Sequence, residues 1–405
     1  MQALLSFIRG AGLCMIAVGL AFSHSLISIG VGLLGVYGLL RFYIGEKEWG
    51  SRSVWLMSAV FICLYVLQAI SWFYTADKSQ WWVEMRVKLP FVFLLPAAVW
   101  VWWDASFSMR KVVHGFFHLA LMGVGMATLW RFMLDPAWAL EEIYRGRYVP
   151  MVGGISHIYY AGLVGMGLFF LWQLPLWGGR VLKAAIGLVY LIILHGLALR
   201  TGLAALYGTA LVLVILWAIQ RPRRWLWAAA IIGIGVVGLN FLICKLPPLR
   251  QRWENMRVDL KHYKPGIDIT HTSLTRRLAA IEASWRVFRK NPWLGVGIAD
   301  NQQAVAAEIP NLPYRWEKQF YILPHNQFIE YGIGLGLIGL GVFVLFWIVA
   351  FRERLGWGWI GWLVYWLILL QAEAFLERQV GVTAFLWGSG VLWVELKRRC
   401  CSFGA

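Results

Sequence analysis

A histidine and an asparagine stand where a long polar segment meets an apolar stretch of the chain. Pro324 precedes His325 and Asn326, and the residues that follow have the composition of an apolar helix. The first turn of a helix carries free backbone N–H groups and the positive end of the helix dipole, so it favours anions. An imidazole ring in that position can exchange a proton with a substrate. The pattern predicts that His325 is catalytic; the competing interpretation is a polar residue that only caps the helix.

Arg200 is a candidate for binding an anion. It lies between two apolar segments, where a cation needs a partner or an aqueous cavity. Its guanidinium offers a planar fork of donors that suits phosphate. The alternative is an arginine that reaches out to lipid head groups.

Arg277 is a second candidate, because it borders an apolar helical stripe. Leu274, Leu278, Ile281, Trp285 and Phe288 recur at helical spacing. Arg277 lies about 60° from Leu274 around such a helix, and Arg276 lies on the far side, where it is predicted to face water. Arg289 borders the stripe as well, so position alone does not single out Arg277.

Weaker candidates lie earlier in the chain. Arg145, Arg147 and His157 could add to a substrate-binding site, although ordinary charge beside a membrane explains them too. Asn326 is a further possible substrate-binding residue. The histidine spacing indicates no metal site, and no Asp-x-Asp motif is present, so neither a metal nor another cofactor is predicted. Glu373 and Glu377 are expected to pair locally with Arg378.

The elements that position these residues are membrane helices. Of 405 residues, 60% are hydrophobic and 14% are charged, which indicates a polytopic membrane protein. The net charge of +17 is scattered between apolar stretches, which favours anionic lipids and phosphate-bearing substrates over nucleic acid. The fold class is therefore all-α, with about twelve spans. The predicted spans are 4–22, 25–43, 54–74, 89–104, 112–133, 156–174, 182–199, 202–220, 226–244, 326–350, 357–372 and 380–396.

Short loops rich in lysine and arginine fall on one side of these spans, which places that side and both termini in the cytoplasm. Residues 1–244 then hold the first nine spans, 245–325 form one large helical loop outside, and 326–405 hold the last three spans and a cytoplasmic end. Within the loop, Ser273 or Thr272 is expected to cap a helix that Asn291-Pro292 ends. This helix is predicted to pack on the membrane helices or to lie at the interface.

Three segments resemble one family. His325 and Asn326 followed by Gly336 and Gly339 resemble the signature of bacterial O-antigen ligases. A helix that opens with Ser273 and arginine and ends in Asn-Pro-x-x-Gly-x-Gly is similar to a second family motif, and the family alignment is what selects Arg277 there. Arg200 matches the third motif, with Leu199 where the family often has serine. The resemblance spans most of the second half of the chain.

The resemblance implies a metal-independent, inverting glycosyltransferase in the inner membrane, with its site facing the periplasm. Its donor is a glycan on undecaprenyl diphosphate and its acceptor is lipid A–core, among membrane lipids. Arg200 and Arg277 would hold the diphosphate, and a neutral His325 would take a proton from the attacking hydroxyl. A nearby diphosphate favours the cationic ring and opposes that role.

Two alternatives stay open at this point. A polymerase of the same superfamily would use the same donor with a second lipid-linked glycan as acceptor. A twelve-span transporter is the other alternative. Transporters tend to place ionisable groups at mid-membrane, whereas the charges here gather at the outer rim.

Overall fold

The computed structural model describes residues 2–44, 52–145, 148–318 and 321–402. Within these ranges the chain is helical, and its β pairing is a single bridge between Asp268 and Arg315. The all-α prediction is confirmed. The helices are α1 (Gln2–Phe22), α2 (His24–Ile44), α3 (Arg52–Ile70), α4 (Lys78–Lys88), α5 (Leu94–Asp104), α6 (Phe107–Leu134), α7 (Pro136–Tyr144), α8 (His157–Gln173), α9 (Gly179–Gly196), α10 (Arg200–Ile219), α11 (Arg224–Lys245), α12 (Pro247–Lys261), α13 (Ser273–Lys290), α14 (Asn301–Glu308), α15 (Gln327–Phe351), α16 (Trp357–Ala372) and α17 (Gln379–Ser402).

The described ranges include 9 helical stretches that are long and apolar enough to cross a membrane. They make the protein a polytopic membrane protein, and each overlaps one predicted span, although the stretch Lys78–Asp104 begins well before the predicted 89–104. The other three predicted spans, 156–174, 357–372 and 380–396, are helical too, as α8, α16 and α17. A total of twelve crossings stays a prediction, since α16 is short for a span.

The membrane helices differ sharply in how much of their surface is covered. Most of α17 between Val380 and Leu396 is buried, and α5 packs closely against it. Small residues permit this approach: a Cβ on Gly390 would lie 2.9 Å from that of Ala98. In α11, by contrast, Ala228 is the one buried residue. The bundle is therefore organised around α5 and α17.

Helices α12, α13 and α14 lie between α11 and α15, and α13 and α14 share a second apolar core with Ile333 of α15. The buried face of α13 is made of small residues, among them Ala279, Ala280 and Ala283. The predicted apolar stripe lies on the opposite face, where Trp285 is 52% exposed and its neighbours are half-buried. The stripe was thus correctly recognised as apolar, but of its five residues only Phe288 packs against this core. An exposed apolar face suits a helix at a membrane interface.

The two glycine-containing motifs dock on each other. Helix α15 is interrupted at Gly336, which has φ 65° and ψ −161°. The turn after α13 supplies hydrogen bonds there: Val296 N–H donates to the Ile333 carbonyl at 2.8 Å, and Leu337 N–H donates to the Pro292 carbonyl at 2.7 Å. These bonds satisfy backbone groups that the break in the helix leaves free. The turn at 291–297 therefore packs directly on the glycine-rich part of α15.

Candidate active site

His325 sits in a strained backbone conformation immediately before α15. Its φ is +52°, in the left-handed region that non-glycine residues rarely adopt. Ala198, with φ +48°, shares this feature, and among the described non-glycine residues these two alone have positive φ. Ala198 lies two residues before Arg200. Such strain persists only where the surroundings enforce it, and it concentrates at functional sites.

Asn326 fixes the start of α15. Its side-chain oxygen accepts hydrogen bonds from the N–H groups of Phe328 and Ile329 at 2.9 and 3.1 Å. Its amide group donates to the Gln371 side chain at 2.7 Å and to the Gln371 carbonyl at 3.1 Å. Asn326 therefore caps α15 and ties it to the end of α16, which holds the neighbouring His325 in place.

Glu373 joins the predicted histidine to one of the predicted arginines. Its carboxylate oxygens lie 2.8 and 2.9 Å from His325 Nδ1, and one of them lies 3.7 Å from Arg277 Nη2. Arg277 Nη1 also donates to the Ala372 carbonyl at 3.2 Å. Because an ionised carboxylate only accepts, Nδ1 carries the proton, and in the neutral ring Nε2 remains as the acceptor.

Buried ion pairs of Lys88 stabilise this arrangement. Lys88, with a side chain 1% exposed, bridges Glu84 and Glu377 at 2.8 and 2.5 Å. Glu377 accepts from the Gln327 amide at 2.6 Å, and the Gln327 oxygen accepts from Leu376 N–H at 2.7 Å. The loop that carries Glu373 is thereby held against the start of α15. The expected pairing of Glu373 and Glu377 with Arg378 was wrong. Glu373 pairs instead with His325, and Glu377 pairs with Lys88. Both partners lie far away in sequence, so residue spacing could not predict them.

Arg200 and Arg277 line one cavity of about 310 Å³. Arg252, from α12, lines the same cavity, as does His157, whose ring stacks on that of Tyr148 with centroids 3.8 Å apart. Ala372 also lines this space and precedes Glu373 in the chain. The cavity wall therefore includes the residue that precedes Glu373, the partner of His325.

Positive charge dominates this cavity. Burial lowers the pKa of Arg277, and the Glu373 carboxylate partly opposes that shift. Burial, and then the positive charge of Arg200, lower the pKa of Arg252 to about 10. Guanidinium groups stay charged at neutral pH even so. Three cations around one space suit an anion with several oxygens.

The remaining candidates lie in different surroundings. Arg145 is exposed, pairs with Glu141 at 2.9 Å and lines a neighbouring cavity of about 450 Å³. Arg147 falls outside the described residues. Arg276 does not face open water as predicted: it is half-buried, and its Nε donates to the Thr272 carbonyl at 2.8 Å. The reason is that α13 buries the face on which Arg276 lies.

Sequence reasoning missed two residues of this site. Glu373 was noted only as an acidic residue beside Arg378, although a carboxylate at the end of an apolar helix was a signal that it needed a distant partner. Arg252 carried no signal, since it lies among other charged residues of a polar loop and no motif includes it.

The fold and this cluster define a multi-pass membrane protein with a cationic cavity and a carboxylate-paired histidine at the ends of its helices. Residues 185–344 match the model of a family described as O-antigen ligase. The match includes Arg200, Arg277 and His325, and it confirms the predicted resemblance of this part of the chain to the O-antigen ligase family. It covers about two fifths of the chain. The comparison with curated proteins finds no match.

Proposed function

We propose that the protein is an O-antigen ligase, which transfers O-antigen polysaccharide from undecaprenyl diphosphate to lipid A–core at the periplasmic face of the inner membrane. The observation that carries this proposal is the shared cavity of Arg200 and Arg277, together with the contact between Arg277 and Glu373, the carboxylate partner of His325. Arg200, Arg277 and His325 lie inside the O-antigen ligase match, which supports the assignment.

The arginines have two tasks in this proposal. They hold the donor's diphosphate while the polyprenyl tail lies among the membrane helices. They also neutralise the charge that develops on the diphosphate as it leaves, which stabilises the transition state electrostatically. A leaving group neutralised in this way requires no metal ion and no separate proton donor.

His325 and Glu373 activate the acceptor. The acceptor hydroxyl oxygen attacks the anomeric carbon, the bond from that carbon to the diphosphate breaks, and undecaprenyl diphosphate leaves with the bonding electrons. Nε2 of His325 takes the hydroxyl proton, and Glu373 stabilises the resulting imidazolium through Nδ1. Attack on the face opposite the diphosphate inverts the anomeric configuration.

Complementation tests the proposal directly. The gene is expressed in a ligase-null, polymerase-competent bacterium, and lipopolysaccharide is examined by gel and immunoblot. Long O-antigen on lipid A–core supports the ligase assignment. The same gene goes into a polymerase-null strain that retains its own ligase: appearance of long chains there, with no rescue of the ligase-null strain, would identify a polymerase instead.

The arginine variants should differ clearly in transfer activity in the complementation assay. Arg200→Ala and Arg277→Ala are expected to abolish transfer with normal protein levels, because each removes a guanidinium from the cavity wall. Lysine at either position should rescue poorly, since a point charge lacks the bidentate fork. Arg276→Ala, adjacent in sequence but absent from the lining of this cavity, should retain most activity. Equal loss in all three alanine variants would contradict the assignment.

A further inference from the structure

Three basic residues line a cavity at the end of α15 that lies opposite His325. The cavity, of about 370 Å³, lies between the start of α3, the end of α15 and the C-terminal part of α17, and its lining includes Arg52, Arg352 and Lys397. Helix α15 begins just after His325, and its 25 residues separate this cavity from the candidate active site. The loops rich in lysine and arginine predict that this end of the bundle is cytoplasmic.

The charges in this cavity are unbalanced. Glu353 is the one carboxylate among its described lining residues, and one of its oxygens already accepts a hydrogen bond from Trp393 Nε1 at 3.0 Å. Within the described ranges, the side chains of Arg52, Arg352 and Lys397 form no ion pair. Three cations and one carboxylate leave an excess of positive charge, which attracts an anion to this space.

An apolar surface continues from the cavity along α3 and α15. Leu56 and Val349 form the apolar part of the cavity wall. Helices α3 and α15 pack against each other, and both are long and apolar enough to cross a membrane. Cys63 lies on the same face of α3 as Leu56, Leu345 lies on the same face of α15 as Val349, and both are exposed. A lipid whose head group fills the cavity can therefore place its acyl chains on this surface.

We propose that this cavity binds the head group of an anionic phospholipid, with Arg52, Arg352 and Lys397 around its phosphate. Basic pockets between membrane helices at the cytoplasmic side suit such head groups. The apolar surface beside the cavity favours a lipid over a free phosphate ion. A lipid bound there would link the start of α3 to the end of α15 and would stabilise the folded protein. The proposal does not depend on the glycan that the protein transfers.

The experiment uses the full chain in a neutral detergent. Affinities for dioleoylphosphatidylglycerol and dioleoylphosphatidylcholine are measured by native mass spectrometry, and the melting temperature is measured with and without each lipid. The wild type should bind the anionic lipid more tightly and should gain stability from it alone. Glycerol 3-phosphate serves as the soluble probe. It carries a phosphate without acyl chains, so it should not stabilise the protein to the same extent.

Single substitutions locate the site. Arg52→Gln, Arg352→Gln and Lys397→Gln should each weaken phosphatidylglycerol binding by about fivefold, the factor expected for one cation beside an anionic head group. Binding of phosphatidylcholine should not change. Arg354→Gln is the matched control, because Arg354 is exposed and close in sequence but does not line the cavity. Arg352→Lys keeps the charge and should retain most of the affinity.

Weaker phosphatidylglycerol binding in the three cavity variants, with Arg354→Gln unchanged, supports the proposal. Equal loss in Arg354→Gln would refute it, because scattered positive charge would then explain the attraction. Equal affinity of the wild type for both lipids would also refute it, as would equal stabilisation by glycerol 3-phosphate. A variant that melts earlier without lipid is judged by its ratio of phosphatidylglycerol to phosphatidylcholine affinity, which a general loss of folded protein does not change.

Discussion

Replacement of His325 by alanine should lower turnover by ~10²–10⁴-fold, the usual scale of general-base catalysis. Donor binding should change little, because Arg200 and Arg277 hold the diphosphate in the proposed mechanism. Turnover and farnesyl diphosphate binding of the purified variant are the measurements. His262→Ala is the matched control, as His262 is an exposed histidine of the same polar loop that hydrogen-bonds to its own helix.

Glu373→Gln tests whether the histidine acts through its carboxylate partner. Glutamine can still accept a hydrogen bond from Nδ1 but does not stabilise the imidazolium with a charge. Turnover should therefore fall, by less than in His325→Ala, while the protein remains folded. A melting temperature close to that of the wild type separates this effect from a purely structural one.

The pH dependence decides between two roles of His325. A general base must be neutral, so wild-type turnover should fall as the pH is lowered and the ring is protonated. A histidine that binds phosphate as a cation would show the reverse, a fall in turnover as the pH rises. An alkaline fall together with weaker donor binding in His325→Ala would contradict the base role and leave the glycosyltransferase proposal intact.

Much of this architecture could be predicted because the amino-acid composition of a segment indicates whether it forms a membrane helix. Twenty or so apolar residues must form a helix in lipid, since no water is present to satisfy the backbone. Arg200 and His325 could be singled out for the same reason, because a charged or titratable side chain at the edge of an apolar span needs a specific environment. The structure places Arg200 in a cavity with Arg277, as the family motifs implied.

The contacts between distant segments could not be read in this way. Glu373 pairs with His325 across 48 residues, and Lys88 reaches Glu377 across 289. Helical periodicity reports one face of one helix and does not state which neighbour covers it. For α13, the large apolar side chains suggested that their face is the packed one. The opposite face, which carries alanines, is buried in the core instead, because small side chains allow the neighbouring segments to approach closely.

The other prediction with a large expected effect concerns the contact between Gly336 of α15 and the turn at 291–297. Gly336→Ala should destabilise the protein severely and abolish transfer. A Cβ on Gly336 would lie 2.2 Å from the Trp293 carbonyl oxygen, and φ 65° with ψ −161° is a conformation essentially restricted to glycine. Gly295→Ala should behave alike, because its Cβ would lie 2.4 Å from the Ile333 carbonyl oxygen at φ +69°.

This effect should exceed that of an ordinary glycine replacement, since the backbone strain alone is of order 1–3 kcal/mol and the clash adds to it. The turn at 291–297 directly follows α13, which carries Arg277, and is hydrogen-bonded to α15, which begins just after His325. A substitution that separates the turn from α15 should therefore remove activity even in protein that stays folded. Gly341→Ala is the control on the same helix, because a Cβ there meets nothing within 4 Å. Melting temperature in detergent and ligase complementation are measured for all three variants. Wild-type stability and transfer in Gly336→Ala would show that the docking of the two motifs does not hold the site together.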